Sequence, residues 1–437
     1  MIGVIILAAG QGKRMKSSIP KVLHLLGGKP VVSYTLEAVS SLHPDQILMV
    51  LSPELKDSPL FKDIPSVVQN PPKGTADAVH VALNHLTPDI QHVIILCGDT
   101  PLLTSQTLQT LKQSSADLTV IGFLLDHFEQ SYGRIMTDEY QCPQAIVEYK
   151  DATPEQKQIP WANSGVYKIS VALLRKLLPQ IAAHNQAQEY YLTDLVELAY
   201  RQGYSLKMQP ASAQEFHGIN TRQDLSQAEE ILQNQWRENL MNQGVTLFQP
   251  ETIILHHDTK IGTDCRIGPF VTFGPGVQLE PQVTILPFCH LENTIVESTA
   301  CVGPFAHIRG NSRLRQGAMV GNFVEVKGST LGKKTKAKHL AYLGDATVGD
   351  QTNIGAGVVT CNYNGFKKFK TTIGDKAMIG ANSSLIAPLS IGHESLIAAG
   401  SVITQDVPDE ALSLSRPSQI IKDGGGKRFQ SKHKKSL

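Results

Sequence analysis

The sequence predicts two folds in one chain: a doubly wound α/β domain, and after it a left-handed parallel β-helix made of hexapeptide repeats. Three observations carry that reading. An apolar residue returns at every sixth position in three runs: Ile261, Ile267, Phe273, Leu279, Ile285 and Leu291; Val302, Ile308, Leu314, Val320 and Val326; Ile373, Ile379, Leu385, Ile391, Ile397 and Ile403. A helix needs recurrence near 3.6 residues and a half-buried strand near 2, so a period of six fits short flat strands, three to a triangular coil. Upstream, continuous apolar runs of strand length alternate with stretches of helix length, the pattern of a largely parallel sheet covered on both faces. Finally, 437 residues exceed what one core serves, so two or three domains are expected.

Composition narrows the function. Lys and Arg number 40 against 39 Asp and Glu, a formal charge of +1. No overall field points to nucleic acid or an anionic membrane, and any anion site must be local. Met1 to Ala9 is apolar but far shorter than a signal peptide or a membrane span, so a soluble cytoplasmic protein is expected. Cys97, Cys142, Cys265, Cys289, Cys301 and Cys361 are scattered without a C-x-x-C pair. They are expected as small core residues, not as zinc ligands or a disulfide framework.

In chain order, residues 3 to 8 form an apolar run suited to a buried strand, ending at Ala9-Gly10-Gln11-Gly12-Lys13-Arg14-Met15. The glycines let backbone approach a ligand, and Lys13, Arg14 and, after Pro20, Lys21 offer charge to phosphates. Neither the dinucleotide fingerprint nor the P-loop is matched, so an ordinary strand-to-helix turn is the competing reading. Further strands are expected at Gln46 to Leu51 and His92 to Cys97, with helices at Val31 to Ser41 and Thr75 to Leu86. Ligands in such sheets sit at the carboxyl ends of strands. Asp99 stands at one such end, as a Mg²⁺ ligand or, alternatively, a helix cap. Thr221 to Gln243 carries Leu225, Ala228, Ile231, Leu232 and Trp236 at helical spacing and reads as a connecting helix, with Trp236 seating it on a neighbour.

In the repeat region, glycine often follows the core residue (Gly262, Gly268, Gly303, Gly321, Gly349, Gly355, Gly374, Gly380, Gly392), and φ > 0 at tight corners is the expected reason. The phasing breaks at Lys333 to Tyr342 and at Cys361 to Thr372, both expected as loops. They hold Lys336, Lys338, His339 and Tyr342, then Asn362, Tyr363, Lys367 and Lys368. A stiff prism cannot close a pocket alone, so its faces are expected to meet other copies, with sites between them. The expected domains are 1–220, a linker helix at 221–244, the prism at 245–421 and a basic flexible tail at 422–437. The cations of that tail, placed just after Arg416, read either as a solvated tail or as a patch that pairs with an anion.

The segments Leu7-Ala8-Ala9-Gly10 to Arg14-Met15, Pro20-Lys21-Val22-Leu23, Gln69, Gly74-Thr75, Gly98-Asp99, Tyr132-Gly133-Arg134-Ile135, Ile146-Val147-Glu148, Asn163-Ser164-Gly165, Glu189-Tyr190-Tyr191 to Asp194 and Gly218-Ile219-Asn220 together resemble those of sugar nucleotidyltransferases. With the hexapeptide half added, almost the whole chain resembles the bacterial bifunctional family of N-acetylglucosamine-1-phosphate uridyltransferases and glucosamine-1-phosphate acetyltransferases. That resemblance implies a homotrimer acting on small molecules, without nucleic acid or membrane, and feeding cell-wall synthesis. It implies that Leu7, Ala8, Ala9, Gly10, Gly12, Arg14, Lys21, Gln69, Gly74 and Thr75 hold UTP, with Arg14 and Lys21 catalytic. It places the amino sugar on Gly133, Glu148, Asn163 and Asn220, and Mg²⁺ on Asp99 and Asn220.

In the prism the resemblance implies His339 as general base. It puts the sugar phosphate on Arg309, Lys327, Tyr342, Asn353 and Lys368, and acetyl-CoA on Ala356, Asn362, Tyr363, Ala381, Ala399 and Arg416. The chemistry agrees. Acyl transfer to an amine wants a base of near-neutral pKa, whereas the sugar-phosphate nucleophile is already ionised and needs mainly positioning and charge neutralisation. Two positions depart from the family pattern: Cys97 where Tyr is expected, and Ala381 where Ser is frequent. The alternatives are a scaffold that uses the prism only to trimerise, and a single-activity nucleotidyltransferase with a hexapeptide tail. Retention of Asp99, Asn220 and His339 speaks against the first, and of Arg309, Lys327, His339, Tyr342 and Asn353 against the second.

Overall fold

The computed structural model describes residues 1–10, 12–128 and 130–433. Two compact units emerge, Met1–Leu232 and Gln233–Leu437, divided inside the helix Arg222–Asn242.

In the first unit the leading apolar run is strand β1 (Ile2–Ala8). It pairs in parallel with β2 (Gln46–Leu51) on one side and with β4 (His92–Cys97) on the other, and β3 (Ser66–Val68) extends the sheet beyond β2. Beyond β4 lie Trp161–Ser170, Leu118–Leu124 and Leu206–Pro210. Trp161–Ser170 runs antiparallel to both neighbours, so the sheet is mixed. The absence of polar alternation in β1 and β4 has a direct cause. Ile5 and Ile95 enter one core, Val4, Ile6, Ile94 and Leu96 enter another, and both sets are buried. Helix Val31–Ser40 matches its expected span, whereas Thr75–Leu83 stops three residues before Leu86.

The second unit is a prism of three parallel sheets, of ten, eight and eight strands. Successive coils add one two-to-four-residue strand to each sheet. Every core residue named in the three runs is buried except Ile261, which is half-buried on the first coil. The helix end seals that coil. Gln233 donates to the Leu255 carbonyl at 2.6 Å and accepts from the Leu255 amide at 2.9 Å, and Arg237 donates to the carbonyls of Pro250, Glu251 and Ile253. Trp236 packs against the prism core, as expected.

Four expectations need correction. The first phasing break is no loop: Lys336–His339 and Tyr342–Gly344 are strands of the prism, with Ala337 and Leu343 fully buried in the slots. A short side chain and two five-residue steps, to Leu331 and to Val348, hid the repeat there. Only the second break, around Asn362 to Lys370, leaves the coil as a loop, closed by a bridge between Tyr363 and Lys368. The repeat glycines are not there for φ > 0, which among them Gly303 alone adopts. They are there because a Cβ would strike the next coil, at 2.6 Å from Ala381 N for Gly355 and 2.4 Å from Ala399 N for Gly380.

The left-handed corner positions belong to other residues, including Phe270, Phe288, Phe305 and Phe323. Their exposed rings stack in a column with centroids 4.9 to 5.2 Å apart. Of the cysteines, only Cys265 and Cys289 are buried; the other four are half-buried. Lastly, the tail is not without structure: Gly425–His433 is a helix, whose Arg428 donates to the Asp423 carbonyl at 2.7 Å. Its Lys, Arg and Gln residues are good helix formers, and cations suit the last turns. Residues 434–437 of the tail lie outside the described residues.

Candidate active sites

A cleft of about 650 Å³ opens at the carboxyl ends of β1 and β4. Parallel pairing sets Leu7 beside Cys97, and the Gly98 amide donates to the Leu7 carbonyl at 2.9 Å, so the Gly-rich loop and Asp99 leave the sheet side by side. The lining includes Leu7, Ala8, Ala9, Gly10, Gly12, Arg14, Lys21, Gln69, Gly74, Thr75, Asp99 and Asn220, all named from the sequence. Two glycines are obligatory. Gly12 has φ 57°, and a Cβ there would stand 2.8 Å from the Lys21 side chain; Gly74 has φ 116°, and a Cβ would stand 2.5 Å from the Tyr190 carbonyl. Gln69 is buried, and its amide nitrogen donates to the Gly74 carbonyl at 3.0 Å and to Asp77 at 2.7 Å. That turns its carbonyl oxygen the other way, an acceptor suited to an imide N–H.

Lys21 ties the floor together. Its ammonium pairs with Asp99 and donates to Asn220 Oδ1 at 3.1 Å, so both oxygens converge on one cation. Gly133, Glu148 and Asn163 also meet. A Cβ on Gly133 would lie 3.4 Å from Glu148, and the Asn163 amide donates to the Gly133 carbonyl at 2.9 Å. Burial holds the Glu148 carboxyl above the usual carboxylate range, against a Thr193 hydrogen bond. Burial, with Glu197 and Asp151 adding repulsion, lifts Asp194 to about 6. Cys97 lines the same cleft, and burial together with Asp99 pushes its thiol up to about 12, so it stays neutral.

The sequence did not single out Pro72 or Lys150 as site residues, and both line the cleft, together with Lys13, expected to offer charge to phosphates, and Glu189 of the resembling segments. Nor did it show the support given by Arg134. This guanidinium is fully buried and donates to the carbonyls of Lys157, Phe128, Gln130 and Tyr132, shaping the loop that ends at Gly133.

On the prism the site residues follow the coil register. Asn322 pairs with His339, and Ala337, Ile354, Ile379 and Ile397 pair in succession. Two residues beyond that ladder, His339, Ala356, Ala381 and Ala399 therefore form one column, which Arg416 closes by donating to the Ala399 carbonyl at 2.9 Å. Three rungs at strand spacing make this column about 14 Å long. The adjoining corner changes along its length from the four stacked Phe rings to Leu340, Gly357, Asn382 and Gly400. His339 is exposed, and its Nδ1 lies 2.7 Å from Asn322 Oδ1. That oxygen only accepts, so Nδ1 carries the proton and Nε2 keeps its lone pair.

The next face carries the cations. Arg309 and Lys327 share a rung; Arg309 donates from Nε and Nη2 to Glu325 Oε1 at 3.0 and 2.5 Å. Lys368, from the loop, sits below the usual lysine range because the Lys327 ammonium is beside it. Asn362 is buried and donates to Asp345 at 2.5 Å, near the Tyr342 hydroxyl. Tyr363 is exposed on the same loop. Asn353 is not gathered with this group: it stands on the neighbouring face, on the rung of Lys336 and Met378.

A nucleotide-sized cleft at the switch between strands, joined to a hexapeptide prism bearing a basic edge, defines a nucleotidyltransferase fused to a hexapeptide transferase. Comparisons agree on both halves. Residues 4–190 match the MobA-like NTP transferase domain, and residues 370–405 match the bacterial transferase hexapeptide (six repeats). The chain is 42% identical to the bifunctional protein GlmU of Paramagnetospirillum magneticum, over 98% of this chain and 97% of that protein. It is 44% identical to that of Paracoccus denitrificans, over 97% and 96%, and 42% identical to that of Idiomarina loihiensis, over 98% of each. The chain belongs to the GlmU family of bifunctional proteins.

Proposed function

We infer that the chain is a bifunctional enzyme that runs two transfers in sequence. On the prism, the acetyl group of acetyl-CoA passes to the amine of glucosamine-1-phosphate and releases coenzyme A. In the cleft, UMP passes from UTP to N-acetylglucosamine-1-phosphate and releases pyrophosphate. The observation that favours two activities over a prism that only assembles is the column beginning at His339, with Asn322 fixing its tautomer. An architectural corner has no use for an exposed imidazole held by Asn322.

For acetyl transfer, His339 Nε2 takes the proton from the amine as it attacks the thioester carbon, and the Ala356 amide stabilises the oxyanion. Arg309, Lys327 and Lys368 hold the phosphate, which replaces Glu325 as the Arg309 partner. Tyr342 and Asn353 bind the sugar. The pantetheine arm lies along Ala356, Ala381 and Ala399, with Asn362, Tyr363 and Arg416 beside it. Because Asn353 stands on another face from Tyr342, one chain does not complete this site. We therefore place it between copies of a homotrimer, in the cytoplasm where both cosubstrates occur. Among the described residues, no helix is long and apolar enough to cross a membrane.

For uridyl transfer, Leu7, Ala8, Ala9, Gly10, Gly12 and Thr75 hold the nucleotide, and Gln69 and the Gly74 backbone read uracil. Gly133, Glu148, Asn163 and Asn220 hold the sugar, while Arg14 and Lys21 neutralise the phosphates. Asp99 and Asn220 fit Mg²⁺: their oxygens already share one cation, the Lys21 ammonium, and hard oxygen donors are what this ion takes. When bound, Mg²⁺ supplies further charge neutralisation at the α-phosphate and leaving pyrophosphate. The test is one preparation given glucosamine-1-phosphate and acetyl-CoA, then UTP and Mg²⁺, with thiol and pyrophosphate followed separately. Release of pyrophosphate without thiol would leave the single-activity reading standing.

A further inference from the structure

We propose that His256, His257 and Asp258, on the first coil of the prism, form a site for a borderline divalent metal, with Zn²⁺ the ion that fits best. One ligand atom from each of the three lies within 4.8 Å of the other two, and among the described residues no other group of three His, Cys, Asp or Glu does so. The two rings lie 4.6 Å apart at 39°, so both imidazoles face the same side of the turn. His256 Nδ1 and Asp258 Oδ1 are 2.6 Å apart and share a hydrogen bond.

The carboxylate is prepared for this role. The Gly276 amide, on the next coil, donates to Asp258 Oδ2 at 3.0 Å, which leaves Oδ1 turned toward His256. The turn is itself fixed, because the His256 amide donates to Thr259 Oγ1 at 3.1 Å. Metal-ligating side chains are commonly anchored in this way by outer hydrogen bonds.

The donor set decides the metal. Two imidazoles and one carboxylate suit Zn²⁺, Ni²⁺ or Cu²⁺, with water completing a tetrahedron, whereas Mg²⁺ takes oxygen and would choose Asp99 and Asn220. Ligands about 2.1 Å from a tetrahedral zinc lie about 3.4 Å from each other. Binding therefore replaces the proton between His256 and Asp258 with the metal, opens their contact slightly and swings the exposed His257 ring inward. The ion would staple the opening coil, whose Ile261 is only half-buried.

The experiment is a Zn²⁺ titration of the full-length chain against a chromophoric chelator, with thermal unfolding read in Zn²⁺ and in Mg²⁺. One Zn²⁺ per chain is expected, with a higher Tm in Zn²⁺ than in Mg²⁺. His257→Ala removes an exposed side chain and keeps the fold, and it should weaken Zn²⁺ binding at least tenfold; Asp258→Asn should do the same. Asp99→Ala should bind Zn²⁺ as the parent does. His307→Ala, which breaks the nearby His290 and His307 ring pair, should also leave it unchanged. The proposal fails if the parent takes up no Zn²⁺, if His257→Ala binds as well as the parent, or if the loss appears in Asp99→Ala or His307→Ala instead.

Discussion

The cleft and the prism edge gather their residues in opposite ways. In the cleft, side chains from Gly10 to Asn220 are brought together by loops at strand ends, and each depends on a separate tertiary contact, such as Lys21 on Asp99. On the prism, partners arrive by counting: Asn322 with His339 and Asp345 with Asn362 are each 17 residues apart, one coil. The first site is enclosed by one chain, and the second lies open along an edge. The comparison teaches that the two activities should fail independently and by different routes.

The strongest test of that independence is a pair of substitutions. Asp99→Ala should lower pyrophosphate release by at least ~10²-fold and spare thiol release, and His339→Ala should do the reverse by a similar factor. A folded variant that loses both activities would break the two-site account. Next in size, Gly355→Ala forces a methyl to 2.6 Å from the Ala381 amide. It should cost about 1–3 kcal/mol of prism stability, seen as a lower Tm with uridyl transfer retained below the transition. Asn322→Ala should lower the acetyl-transfer kcat about tenfold by releasing the His339 tautomer, with an altered pH profile and little change in KM. A purely structural role would lower the Tm and leave that profile alone.

A smaller effect sharpens the contrast in stability. Burial raises Asp194 to about 6 in the folded state. The folded chain therefore holds more protons than the unfolded one between about pH 4 and 6, and stability falls as pH rises through that window. Asp194→Asn should flatten the fall and gain roughly 1 kcal/mol at pH 7; a steeper fall in the variant would reverse the assignment. The smallest effect concerns the helix Gly425–His433. Truncation after Asp423 should raise the acetyl-CoA KM several-fold at low salt, less at high salt, and leave uridyl transfer unchanged.

How much was legible in advance follows the same division. The six-residue period reports core positions directly, because the same position of each hexad is buried, and β1, β2 and β4 were visible because both faces of their sheet are covered. What remained hidden depends on facts a linear pattern does not carry. Ala337 occupies a core slot as well as Leu does when the coil tightens, so a strand looked like a loop. The repeat glycines signal closeness between coils, not a dihedral. Arg134 carried no assigned role in its segment, and only the four carbonyls around it show why the fold buries it. Asn322 and Asp345 could have been found by stepping one coil from His339 and Asn362, and Glu325 two residues before Lys327, the coil partner of Arg309.

Because each coil of the prism touches only the coils above and below it, its stability accumulates like links in a chain, and its ends fray before its middle. The His339 strand has five strands of its sheet before it and four after, counting from Thr246–Leu247 to Leu412–Ser413. The His339 imidazole thus sits where opening is rarest. Amide exchange should be slowest around Val320 to Ile354 and quicken toward both ends. Fraying of the first turns would leave the His339 strand folded, whereas fraying of the last would reach Ala399 and Arg416.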